Sequence, residues 1–188
     1  MKGALALAAF FVAPLGPSPA TAAPAPPEPS RVRHSLKVAL DPSRGWLSVV
    51  DTVTGADEFL LHAGLEVTRS EPAVVEVPLG DTAPFFGINA STASVPLKRY
   101  RAPSPAGGSV RLEYEGKFDF GLSDQKEEYT RGFRETAGIV STEGVYLAGN
   151  GFWYPQAGRG LVEYEMQVAQ PEGWHVISAG NGTSRDAK

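Results

Sequence analysis

The 188-residue chain has no cysteine. Disulfides are therefore excluded, and stability must come from packing and backbone pairing. A lipid-anchored lipoprotein is excluded too, since no cysteine follows the apolar run near the N-terminus. A cationic excess is also missing: 17 Lys and Arg face 21 Asp and Glu, for a net charge of −4. A mildly acidic chain has no electrostatic footprint for nucleic acid and no basic patch for anionic lipid. No window shows a convincing helical period. Among catalytic signatures, the zinc-protease pair H-E-x-x-H is absent and no serine sits in G-x-S-x-G.

The chain's beginning has the order of a secretory signal peptide. Met1-Lys2 is a short basic start, residues 4–15 are apolar, and Ala20-Thr21-Ala22 is a small-x-small cleavage site. The apolar run is shorter than the roughly 20 residues needed to cross a bilayer. Pro14, Pro17 and Pro19 also argue against a buried helix. The expectation is a signal peptide over residues 1–22, with secretion or periplasmic export and no membrane anchor. A proline-rich tether over 23–31 and one β-rich domain over 32–188 complete it.

Within that domain the pattern is nearly all β. Leu36, Val38 and Leu40 share one parity, turn residues occupy 41–45, and residues 46–53 resume an extended run, predicting a first hairpin. Short β pieces follow at 59–62, 65–68, 74–77 and 95–101. The cleanest strand sets Val110, Leu112, Tyr114, Gly116 and Phe118 against Arg111, Glu113, Glu115 and Lys117. One apolar and one charged face is what an antiparallel sheet with a wet side requires. Val162, Tyr164, Met166 and Val168 repeat the pattern, and a last strand is expected over 175–179. With 21 Gly and 16 Pro as punctuation, the expected fold is an all-β antiparallel sandwich or saddle of roughly ten strands. Residues 119–136 read as an irregular excursion at its rim. Asn181-Gly182 is a hairpin-turn signal that normally hands the chain to a partner strand. Only six residues, nearly all polar, follow it, so the chain reads as the opening part of a longer protein.

Chemistry-bearing residues are scattered. His34, His62 and His175 lie in separate segments, none with a second ligand at metal-binding spacing. Asp119, Asp124, Glu127, Glu128 and Glu135 form an acidic stretch without the Asp/Asn ladder of a calcium loop. Gly149-Asn150-Gly151 precedes no helix and reads as a turn. Asn89-Ala90-Ser91 and Asn181-Gly182-Thr183 match the glycosylation triplet. The candidate site is therefore the aromatic loop Phe152-Trp153-Tyr154-Pro155. It reads either as a platform for a sugar ring or peptide side chain, or as a loop folded back on the sheet to bury its rings.

Taken in order, "HSLKVALDPSRGWLSVVDTVTG", "LEYEGKFD", "EGVYLAGNGFWYPQ" and "YEMQVAQPEGWHVISAGNG" resemble the N-terminal domain of M1-family zinc metallopeptidases, the gluzincin aminopeptidases. The family pattern is "H-x-L-x-V-x-L", then "L-x-I-x-Y-x-G", an aromatic-proline loop, and "P-x-G-W-x-V-x-S-x-G". The resemblance spans nearly all of residues 34–182. It implies a saddle-shaped β domain that is itself non-catalytic. A downstream thermolysin-like domain would hold the zinc and general base, act on the peptide substrate, and be this domain's partner. The resemblance carries no catalytic or metal-binding residue onto this chain. In the family a polar side chain near the loop helps hold the substrate's free amine. Here the usual Ala-Arg before Phe-Pro, and the Cys-Phe-Asp-Glu-Pro after it, give way to the run from Gly149 to Gln156. This resembles a divergent branch. Asn150 and Gln156 become the polar cleft candidates beside Phe152, Trp153 and Tyr154. The alternative is a free-standing exported β-sandwich that binds a glycan or protein through the three rings.

Overall fold

The computed structural model describes residues 31–82, 95–103, 108–124, 134–158, 160–182 and 184. The expected signal peptide and nearly all of the expected tether lie outside them, as do Asn89, Thr183, Glu127 and Glu128.

The described residues are nearly all β. The strands are β1 (Val32–Asp41), β2 (Trp46–Thr54), β3 (Glu58–His62), β4 (Glu66–Glu71), β5 (Val75–Val77) and β6 (Leu97–Arg101). They continue with β7 (Ser109–Lys117), β8 (Ser123–Asp124), β9 (Arg134–Glu135), β10 (Ile139–Ser141), β11 (Gly144–Tyr146) and β12 (Val162–Ala169). A five-stranded sheet runs in the order β12-β1-β2-β7-β4 and a three-stranded sheet in the order β3-β6-β5. The pairs β10–β11 and β8–β9 form small ribbons. All pairings are antiparallel except β1 with β12.

Strand alternation sets which residues meet. In β1, Val32, His34, Leu36 and Val38 point inward while Arg33, Ser35 and Lys37 face water. The register puts Val38 opposite Val49, and Val49 opposite Tyr114. One step along, Leu36 faces Asp51, and Asp51 faces Leu112. These rows form the inner surface of the large sheet. Phe59 and Leu61 of β3 and Tyr100 of β6 close over it, so both sheets share one core. Phe59 and Tyr100 stack with centroids 5.6 Å apart. Burying such a set of apolar side chains supplies the main driving force for folding, about 1.5–3 kcal/mol for each large one.

β3 differs from the others because residues 59–62 are all buried. Phe59 and Leu61 face the main core, whereas Leu60 turns to a second cluster with Leu97. A strand covered on both sides loses the alternation that marks a half-wet sheet, and 59–62 is a continuous apolar run ending in His62 for that reason.

The strand expected over 175–179 does not form. Trp174 and Val176 are half-buried and Ile177 is exposed, but the segment enters no ladder. Alternating side chains make a strand only where a neighbour accepts the backbone bonds. No described strand pairs its backbone with this segment. The 119–136 excursion contributes the two-residue strands β8 and β9, and its centre lies outside the described residues.

Gly116, on the inner side of β7, lets the chain after β3 pass close by. A Cβ there would stand 2.1 Å from the Gly64 carbonyl oxygen. Gly116→Ala is therefore expected to cost about 1–3 kcal/mol through forced backbone displacement. Urea unfolding of the two proteins measures this; equal midpoints would contradict the close approach.

Candidate functional site

The aromatic loop is a continuation of the small sheet. Residues Gly149–Gly151 form one 3-10 turn, closed by the Gly151 N–H donating to the Ala148 carbonyl at 3.0 Å. A Cβ on Gly151 would lie 1.7 Å from the Ala137 carbonyl oxygen, so glycine is required. Phe152 follows in the left-handed region with φ 55°. Such a conformation is uncommon for a residue with a side chain and persists only where the surroundings impose it.

Three backbone bonds impose it here. The His62 N–H donates to the Phe152 carbonyl at 2.9 Å. Leu60 and Gln156 exchange a reciprocal pair, each bond also 2.9 Å. The loop thus occupies the edge of β3 that β6 leaves free. Successive rings then go to opposite sides. Phe152 packs against the cluster of Leu60 and Leu97, while Trp153 enters the main core with 7% of its surface exposed. Tyr154 lies half-buried with its ring edge-on to His34 at 5.4 Å and near Trp153 at 5.1 Å. Gln156 closes the loop by donating its Nε2 to the Gly149 carbonyl at 3.1 Å.

Of the five sequence candidates, Asn150 alone is exposed, at the loop's tip. Gln156 and Tyr154 are half-buried, and Phe152 and Trp153 serve packing on either side of β3. A flat platform of three rings is not what the loop presents.

Behind Tyr154 lies a polar group that no sequence motif marks. His34 Nδ1 and Asp51 Oδ2 hydrogen-bond at 2.7 Å with both side chains fully buried. His34 Nε2, Asp51 Oδ1 and the Tyr114 hydroxyl have no protein partner among the described residues. Burial pushes the Asp51 carboxyl above its ordinary value, and the hydrogen bond from His34 opposes that rise. Burial likewise raises the Tyr114 phenol, helped by the Asp51 and Tyr154 charges. Parity was the available signal: His34 shares the inward side with Leu36, and Asp51 shares it with Val49 and Val53.

His62 is also buried, between Phe118 at 5.1 Å and Phe120 at 4.6 Å. Its Nδ1 accepts the Gly64 N–H at 2.9 Å, which leaves the proton on Nε2. Burial lowers its pKa below 6.5. His175 is exposed. Among the described residues no three His, Asp or Glu side chains stand close enough to hold a metal ion.

Beside the loop opens a hollow of about 780 Å³. Leu36, Val38, Met166 and Val168 line it, together with Tyr154 and Trp174.

No family model matches the chain. No curated protein matches it either. Among solved structures it is similar to a mutant M1 zinc metallopeptidase from Deinococcus radiodurans bound to a Tyr-Ser-Ala substrate. The match covers 75% of this chain and 32% of the other, at 16% identity and a TM-score of 0.38. The chain spans about a third of that protein's length. The structural relationship is weak. No described helix is long and apolar enough to cross a membrane.

Two outcomes follow from this geometry. Trp153→Ala should destabilise the fold by about 3–5 kcal/mol, read from urea unfolding, because the ring is part of the core. A near-neutral change would place the ring outside it. The His62 pKa is depressed in the folded state, so its contribution is present above the unfolded value of 6.5 and lost as pH falls through the folded value. Stability measured by urea at about pH 7.5 should therefore exceed that at about pH 5, with a smaller difference in His62→Gln. An unchanged difference would locate the acid sensitivity elsewhere.

Proposed function

We propose that this chain is the non-catalytic N-terminal β domain of a secreted, M1-like zinc metallopeptidase and forms one wall of its substrate cleft. One observation carries the reading. The segments that resemble the family assemble into a single unit, though they are dispersed through the chain. β1, with its inward His34, Leu36 and Val38, lies directly between β12 and β2. β7 is the next strand along, and Tyr154 of the aromatic loop packs on His34. Each segment is a loose match alone; their adjacency gives the ordered set a structural meaning.

In this role the chain supplies shape and polar contacts. The bond-breaking chemistry, water activated on zinc, belongs to a separate catalytic domain. Asn150 at the loop tip offers an amide oxygen to a substrate's amine, and Gln156 keeps its Oε1 as an acceptor while its Nε2 braces the turn. The buried backbone bonds at Leu60 and His62 hold both amides in place. A cleft wall needs such rigidity, because misplacement of a contact by about 1 Å is costly to catalysis. A leader over 1–22 and the tether over 23–31 would bring the domain to the outside of the cell.

The coding sequence beyond the Lys188 codon tests the proposal. It should run on in frame to H-E-x-x-H and a later Glu; a stop codon at that point would contradict it. The chain expressed alone should bind no stoichiometric zinc and hydrolyse no peptide. Turnover that zinc chelators abolish would place the active centre in this chain instead.

A further inference from the structure

We infer that the wet face of the large sheet binds a flat, uncharged glycan chain of β-linked pyranoses, laid in a trough that crosses the strands. The register builds the trough. On the face turned away from the core, Ala169, Ala39 and Ser48 stand in one row across β12, β1 and β2, and Glu115 of β7 continues it. Three small side chains in line leave a depression between flanking rows of larger ones. Gln167, Lys37 and Val50 form the row on one side, and Trp46 with Lys117 the row on the other. The depression measures about 420 Å³, and its outward lining comes from all five strands, with Thr68 contributed by β4. Lys37, Ala39, Thr68, Gln167 and Ala169 are all exposed.

The lining selects the ligand. β1, β2 and β7 each pair on both sides, so their backbone groups are spent in the ladders and only side chains meet a ligand here. An added peptide strand, which needs a free backbone edge, is excluded. The side chains mix both roles: Lys37 donates, Glu115 accepts and Gln167 does both. Glu113 is held by Arg111, which leaves Lys37 and Lys117 against Glu115 and Glu66 along the trough. That balance attracts neither a polyanion nor a polycation. Trp46 supplies an apolar contact on this wet face, half-buried, with the Arg44 guanidinium 5.1 Å from its ring centroid. Its indole N–H and the Ser48 hydroxyl both donate to Glu115 Oε2, at 3.5 and 3.0 Å. Glu115 is thereby fixed, and its Oε1 accepts no bond among the described residues. A fixed carboxylate beside an indole offers an acceptor to hydroxyls and a surface to C–H groups. Pyranose rings carry both, and β-linkage keeps the chain flat and straight. The inference does not depend on the peptidase reading and leaves the aromatic loop unused.

Cellohexaose is the probe, with maltohexaose, whose α-linkages coil the chain, as its control. Titrated into the full chain and followed by NMR, cellohexaose should shift the Trp46 indole N–H and the Lys37, Ala39, Ser48 and Gln167 amides. The Trp153 indole, in the core, should not move. Maltohexaose should bind at least about tenfold more weakly. Trp46→Ala should weaken cellohexaose binding by at least about tenfold, and Glu115→Gln by about threefold. Ala39→Arg fills the trough at an exposed position and should abolish binding while Trp46 is kept. Shifts on the unaltered chain decide the matter if a variant does not fold. Unmoved trough amides at millimolar cellohexaose, equal affinity for the two sugars, or shifts confined to the aromatic loop would each overturn the inference.

Discussion

The reciprocal bond pair between Leu60 and Gln156 is the constraint from which the rest of the site follows. It commits the free edge of β3 to the aromatic loop, and the His62 bond to Phe152 extends that commitment. Once the loop is an edge element, alternation sends Phe152 to one side of β3 and Trp153 to the other. The left-handed Phe152 and the glycine-only position at Gly151 are the local cost of the sharp entry into this path. The loop is tied to β3 at three backbone bonds. Residues at its tip, Asn150 above all, inherit a defined position.

Polar burial lies just beneath this frame. His34, Asp51 and Tyr114 occupy inward positions that otherwise hold Leu and Val, and the Tyr154 ring packs edge-on against His34. A buried hydrogen-bonded pair seldom adds net stability over an apolar one, but removing one partner leaves the other stranded at several kcal/mol. Such a pair disfavours register slips in β1 or β2, because a one-residue shift would carry both groups to the opposite face. Its position under Tyr154 extends the same specification to the loop.

Much of the fold was legible in the residues, for definite reasons. β7 could be read at sight because charged and apolar residues alternate without a break along a half-wet strand. β1 and β12 were legible on the same ground. Their parallel adjacency was not, since it depends on a crossover through most of the chain. The 175–179 segment shows the limit of pattern: its alternation is real, yet no described neighbour turns it into a strand. At the site, the aromatic loop was recognised as the place of interest, with packing and display left open. What resolved them was the pairing with β3, a long-range bond that local sequence does not encode. The His34–Asp51 contact was written in strand parity, but only register brings residues 17 apart in sequence into hydrogen-bonding range.

Everything described at the site depends on the aromatic loop being part of the folded core. Native-state hydrogen exchange at the Leu60, His62 and Gln156 amides measures this directly. The account predicts that all three exchange only through global unfolding, with the same denaturant dependence as β2 amides such as Val49. Exchange at the rate of an open surface loop, while the sheet amides stay protected, would contradict it.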